Sequence, residues 1–233
     1  MSNECTGQGS ELLNPGREFT IAEAKAIVSH VYDNCRIDTE DRFHNTFFHE
    51  ICPLLLIAEH MGGEAARIVF VGSNLRFDGL LLFNEGREQK VELTAAIDGY
   101  HDALRMELLA KRGHAPAFQK IQASGTKGNR IFGPNETDGG RSDGYDQGTL
   151  LPLLENALAL KIGKAPGNEF YSDAWLGVVF DDWVCPLGST TKKKRFDPLC
   201  RRLLGNGPDR YAPFSRVFII GISRQYLFDS REM

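Results

Sequence analysis

Two carboxylates and the polar residues around one of them are the groups in this sequence best spaced to do chemistry. Asp78 stands in Arg76-Phe77-Asp78-Gly79, thirteen residues separate it from Glu92, and Glu92 opens the triplet Glu92-Leu93-Thr94. Alternate residues of a strand share a face, so Lys90, Glu92 and Thr94 are expected to project together while Val91 and Leu93 enter the other layer. A hairpin between residues 77–83 and 89–94 would bring Asp78 beside Glu92 or Thr94. Two carboxylates a few ångströms apart repel. A hard divalent cation, Mg2+ or Mn2+, is the usual relief, because it takes oxygen ligands and keeps several waters.

The elements that must position these groups follow from the periodicity. Thr20 caps a helix whose apolar positions Ile21, Ala24, Ile27, Val28 and Val31 recur at helical spacing to about Cys35. A second helix is predicted from Asp38 or Thr39 to the Gly62-Gly63 pair, kinked at Pro53 where one backbone bond is lost. The period then changes. Residues 67–71, 77–83 and 89–94 are short runs of Val, Ile, Leu and Phe split by Gly-Ser-Asn and Asn-Glu-Gly, which predicts a meander of three strands. Residues 95–112 return to helical spacing, and Gly113 stops them. From 125 to 148 the chain is dense in Gly, Asn, Asp and charge, and a long mobile loop is expected. Thr149 caps a further helix through Ile162, 175–180 and 217–222 read as strands, and between them lie the basic run 192–195, read as a solvated loop, and a short helix near 199–204.

Composition sets the outer limits. With 42% hydrophobic and 25% charged residues, and with 15 Phe and 6 Tyr to fill a core, the 233 residues suit one globular α/β domain over 19–233 behind a flexible segment at 1–18. The net charge of −4 argues against a protein that coats nucleic acid, but not against a local basic cleft. Five irregularly spaced cysteines read as reduced thiols. No apolar run has the roughly 18 residues of a membrane span, and the polar N-terminus does not look like a secretory signal. Cytoplasmic placement without membrane partners is the expectation.

The Arg-Phe-Asp-Gly run, the thirteen-residue gap and the Glu-Leu-Thr triplet resemble the PD-(D/E)XK, or restriction-endonuclease-like, nuclease superfamily over about residues 38–113. The resemblance implies a mixed central sheet flanked by helices, a metal held by Asp78, Glu92 and Glu50 of the leading helix, and hydrolysis of phosphodiester bonds in nucleic acid, DNA before RNA, in a restriction, repair or mobile-element setting. Phe77 replaces the Pro before the Asp. Thr94 stands where the family has its Lys and cannot supply a cation. Lys90, about 6.5–7 Å away along the same strand face, is the first substitute, with Lys161 and Lys164 on the later helix as others. The missing Lys admits a second reading, an inactive nuclease-fold module that binds nucleic acid or a protein; a homodimer is left open.

The remaining candidates are peripheral. His101, two turns past Thr94, is expected beside the site rather than in it. Lys127, Arg130 and Arg141 of the long loop, Lys161, and the run Lys192, Lys193 and Lys194 are weak candidates for phosphate contacts. His49-Glu50 lacks the second His of a zinc helix, Gly125 to Gly128 lacks the P-loop spacing, and no G-x-S-x-G elbow occurs.

Overall fold

The computed structural model describes residues 17–34, 46–62, 67–71, 77–84, 86–97, 103–104, 107–108, 111–112, 122–133, 146–164, 171–182, 189–205 and 207–232, with 32–34 and 146–147 described as backbone alone. Its centre is a seven-stranded mixed sheet made of β1 (Glu18–Thr20), β2 (Arg67–Phe70), β3 (Gly79–Leu82), β4 (Glu88–Ala95), β7 (Trp175–Phe180), β8 (Arg216–Gly221) and β9 (Leu227–Asp229), paired in that order. Two short strands, β5 (Ala123–Ser124) and β6 (Ile131–Phe132), form a separate hairpin. Strands β1 to β4 are antiparallel to their neighbours, β4, β7 and β8 run parallel, and β9 turns back antiparallel. The mixed α/β class expected from the periodicity is the one observed.

Helices cover both faces. On one lie α1 (Ile21–Asn34) and α2 (Cys52–Gly62), whose Val28, Leu54, Leu55 and Ile57 share a buried cluster with Val91, Leu93, Trp175, Phe218 and Ile220. On the other lie α3 (Leu151–Lys164) and α4 (Ser189–Leu204), whose Leu154, Leu158, Phe196 and Leu203 pack on Leu176, Val178, Val217 and Ile219. Every residue of β7 and β8 is buried, as parallel strands covered on both sides must be. Phe180, Phe196 and Tyr226 form an edge-on aromatic group with centroids 5.1 to 5.8 Å apart.

Local signals in the sequence account for several boundaries. Thr20 and Glu23 close a capping box: Thr20 Oγ1 accepts the Glu23 N–H at 3.2 Å and Glu23 Oε2 accepts the Thr20 N–H at 2.8 Å. Pro53 has no N–H to give, and the helical register around it is absorbed by a π-helical turn, Phe47–Ile51, closed by the Cys52 N–H on the Phe47 carbonyl. Residues 35–45, where this helix was expected to start, lie outside the described residues. The β3–β4 hairpin turns through Gly86 at φ +73°, a conformation that favours Gly.

The structure differs from the expectations in three places and adds two strands. The strand carrying Glu92 continues to Ala95, so the following helix does not begin there; its described residues, Ala103, Leu104, Glu107, Leu108, Lys111 and Arg112, are helical. The basic run at 192–195 is part of the sixteen-residue α4, which extends the expected short helix by more than two turns toward its N-terminus. Part of the expected loop at 125–148 is ordered: 125–130 is the turn of the β5–β6 hairpin, and Asp146–Leu150 form a π-helical turn leading into α3; residues 134–145 lie outside the described residues. Strands β1 and β9, three residues each at the sheet's two edges, were too short to show a period.

Two packing details tie the frame to the carboxylates. Gly79, directly after Asp78, lies so close to α2 that a methyl there would collide with both Cδ atoms of Leu54. Gly79→Ala is therefore expected to lower stability by about 1–3 kcal/mol, and a Leu54→Ala background should remove most of that effect in a urea-unfolding double-mutant cycle. At the far end of β7 and β8, the ammonium of the buried Lys192 donates to Asp182 Oδ2 at 2.6 Å, to Ser223 Oγ at 2.7 Å and to the Asp182 carbonyl at 3.2 Å. Lys192→Met would leave the Asp182 carboxylate buried without its cation, an expected loss of about 3–5 kcal/mol. The same change at the exposed Lys193 should leave the urea midpoint nearly unmoved.

Candidate functional site

The site starts from the register of β3 on β4. Gly79 pairs with Val91 and Leu80 with Lys90; Asp78 lies directly before β3, where its N–H donates to the Val91 carbonyl at 3.1 Å, and its charge acts on Glu92 of β4. The Asp78 carboxylate turns toward β4, where Oδ2 accepts the Leu93 N–H at 2.7 Å. Val91 and Leu93 are buried toward α1 and α2, as expected, so Glu92 faces the layer of α3 and α4. The residue is 6% exposed, and its Oε1 is in contact with the ammonium of Lys161 near the C-terminal end of α3.

Electrostatics follow from burial. Burial pushes Asp78 above the usual carboxylate range, and the Leu93 N–H and the Lys161 charge pull it only part of the way back. Glu92 is raised chiefly by burial too, with the Asp78 charge adding and Lys161 and Lys164 opposing. Two carboxyls both displaced upward have oxygens that gain from an additional cation.

The other sequence-derived candidates fall as follows. Of Lys90, Lys161 and Lys164, Lys161 is in contact with Glu92; Lys164 acts on Glu92 through charge, and Lys90 is half-buried two residues before Glu92 on β4, opposite Leu80. Thr94 is half-buried two residues beyond Glu92, level with Val178 of β7. Glu50 is half-buried in the Phe47–Ile51 turn, whose Phe47 and Ile51 pack with α1 and α2 on the face away from Glu92. Lys127 is exposed in the β5–β6 turn, and Arg130 is paired with Glu107 at 3.1 Å. Lys192 points into the core, whereas Lys193 and Lys194 are exposed on α4. His101 and Arg141 lie outside the described residues.

A second polar cluster had no counterpart in the sequence reading. His60, Asp229 and Glu232 are the group of His, Cys, Asp or Glu side chains among the described residues whose ligand atoms lie within 4.8 Å of one another. Burial alone would raise Asp229, but Arg216, which grips both of its oxygens, and the Arg231 N–H hold it below the ordinary range. His60 Nε2 lies 3.0 Å from the same Oδ2 that Arg216 engages. A guanidinium thus already fills the position a metal would need. This cluster fastens β9 to β8 and to the end of α2. His60 and Asp229 lie 169 residues apart in the sequence, and no local pattern links them.

The residues present suit a hard divalent cation at Asp78 and Glu92: two partly dehydrated carboxylates near enough for the charge of one to act on the other, with Lys161 in contact with Glu92 and reaching Asp78 through its charge. The sign of the stability effect follows from the raised pKa values. Below the ordinary carboxylate values of 3.8 and 4.5 both groups are protonated folded and unfolded and contribute nothing. As pH rises through those values toward the folded ones, the folded state retains protons the unfolded state has lost, and stability falls; above the window the loss is complete. Asp78→Asn keeps an acceptor for the Leu93 N–H and removes one charge, so its melting temperature should exceed that of the wild type by a few degrees at pH 7 and match it near pH 3. Equal melting temperatures at both pH values would show that the two carboxylates carry no such penalty.

No helix among the described residues is long and apolar enough to cross a membrane. The chain matches no protein-family model, no curated protein and no solved structure.

Proposed function

We propose that this chain is a Mg2+- or Mn2+-dependent nuclease that hydrolyses phosphodiester bonds of nucleic acid, DNA being the first substrate to test, on a restriction-endonuclease-like core. The observation that carries the proposal is the Asp78 carboxylate held on the Leu93 N–H of β4, close enough for its charge to act on Glu92, with the Lys161 ammonium against Glu92. The order of elements supports it: α2, the antiparallel β2–β3–β4 meander, the helical residues at 103–112, and a later strand, β7, parallel to β4. The leading helix, the strands beside Asp78 and Glu92 and the later helical residues follow the order the sequence resemblance implies, except that the helix does not begin directly after Glu92-Leu93-Thr94.

Asp78 and Glu92 would hold the cation through carboxylate oxygens. When bound, such an ion lowers the pKa of a coordinated water and offsets charge on the phosphodiester. The Leu93 N–H fixes the orientation of Asp78 through Oδ2, and its other oxygen would be the one to hold the ion. Lys161 supplies from α3 the cation that Thr94 cannot supply from β4. It opposes the rise that burial imposes on Glu92 and would bring a positive charge to where the phosphate develops negative charge. Thr94 contributes a hydroxyl on the same strand face as Glu92.

The same contact favours a second reading. An ammonium on Glu92 can replace a metal as the counter-charge, and the chain would then be a nuclease-fold module that binds without cleaving. Titration calorimetry with Mg2+ and Mn2+, paired with cleavage of end-labelled DNA, separates the two. An active site predicts metal binding that Asp78→Ala abolishes, and cleavage that Glu92→Ala abolishes. Lys161→Met should retain metal binding while kcat falls by about 10²–10³-fold, the scale of a lost transition-state donor. Unchanged cleavage by Glu92→Ala would remove the assignment, and absence of metal binding in the wild type would leave the binding module.

A further inference from the structure

The basic run that the sequence placed in a loop is divided by α4 into one inward lysine and an outward surface. Lys192 enters the core, while Lys193, Lys194, Arg201 and Arg202 are exposed. No exposed position of α4 carries an acid; its single acid, Asp197, is half-buried and accepts the Tyr226 hydroxyl at 3.1 Å. This is unexpected in a chain with 31 acidic against 27 basic residues. The residues Ser189, Thr190, Lys193, Lys194, Asp197 and Pro198 line an open cleft of about 540 Å³ along the first half of the helix.

We propose that the solvent face of α4 is a docking surface for the phosphodiester backbone of duplex DNA, and that it delivers the strand toward Asp78 and Glu92. The inference rests on the nuclease reading for its occupant, and on charge complementarity for its place. Four cations spread over the ten residues from Lys193 to Arg202 cover about 13 Å of helix, the rise of about four nucleotides at 3.4 Å per step. The helix lies beside α3, on the sheet face that Glu92 and Lys161 share. It returns the chain from the end of β7 to the start of β8, so Arg201 and Arg202 lie toward the strand ends where Leu176 and Val217 stand level with Glu92. Backbone contacts of this kind fix position and carry no sequence preference.

The test is fluorescence anisotropy with a labelled 20-base-pair duplex in EDTA, repeated over a series of NaCl concentrations. The double variants Lys193→Glu with Lys194→Glu, and Arg201→Glu with Arg202→Glu, should each weaken binding at least tenfold. Each should also flatten the slope of log K against log salt by about 1.8, two contacts at about 0.9 each. Lys193→Gln with Lys194→Gln should show the same slope change without charge reversal. Lys25→Glu, on α1 across the sheet, should bind as the wild type does. The surface is overturned if the wild type does not bind the duplex, if the α4 variants bind like the wild type, or if phosphatidylserine vesicles bind in preference to DNA. Cleavage that is lost in Glu92→Ala but intact in the α4 variants, with unchanged DNA binding, would defeat the surface and leave the activity. Duplex binding through α4 by a wild type that never cleaves would keep the surface and defeat the activity.

Discussion

The alignment of β3 on β4 sets two carboxyl groups next to each other where water is scarce, and much of the molecule can be understood as what makes that tolerable. Asp78 and Glu92 would separate if β3 slipped by one residue, because a one-residue shift sends a side chain to the opposite face. The register is held by Leu81 and Val91, buried under α1 and α2, and by the hairpin turning at Gly86. The Leu93 N–H and the Lys161 ammonium each engage one carboxylate, and both groups remain raised by burial. The arrangement is therefore stressed in a specific direction, toward acquiring positive charge.

β4 is also the strand at which the sheet changes character. On one side it closes an antiparallel meander that hairpins can build locally; on the other it begins a parallel set that needs helical crossovers. That second requirement brings α3 and α4 onto the face of Glu92. α3 runs opposite to the strands, so its last turn, carrying Lys161 and Lys164, comes back to the row that contains Glu92 and Leu176. The contact of Lys161 with Glu92 is thus a consequence of topology.

The parallel half is secured by two buried ionic clusters at opposite ends of its strands. Arg216, at the start of β8, is clamped on Asp229 with His60 alongside. Beyond the ends of β7 and β8, Lys192 joins Asp182 to Ser223, and Gly221 has no room for a side chain because the Asp182 carboxylate occupies it. Removing one member of such a cluster leaves a charge in the core, which makes them rigid points rather than adaptable ones. The frame under α3 and α4 is accordingly fixed where Lys161 and the basic face of α4 require it to be.

Local patterns determined much of this. The Thr20–Glu23 cap, the three-strand meander, the apolar strands at 175–180 and 216–221, and the projection of Glu92 away from Val91 and Leu93 are all legible because helix and strand periods act over a few residues. Tertiary structure decided the rest. Whether Asp78 met Glu92 or Thr94 depended on register, which no single strand encodes. Which of Lys90, Lys161 and Lys164 touches Glu92 depended on a crossover that spans 69 residues of separation. Lys192 and Lys193 are neighbours with identical side chains, yet one is buried and one exposed, because the helix that contains them rotates by about 100° per residue against a sheet the basic run does not announce. The sequence by itself supplied the two carboxylates and their strands; the packing of α3 and α4 on that sheet supplied the cation beside them.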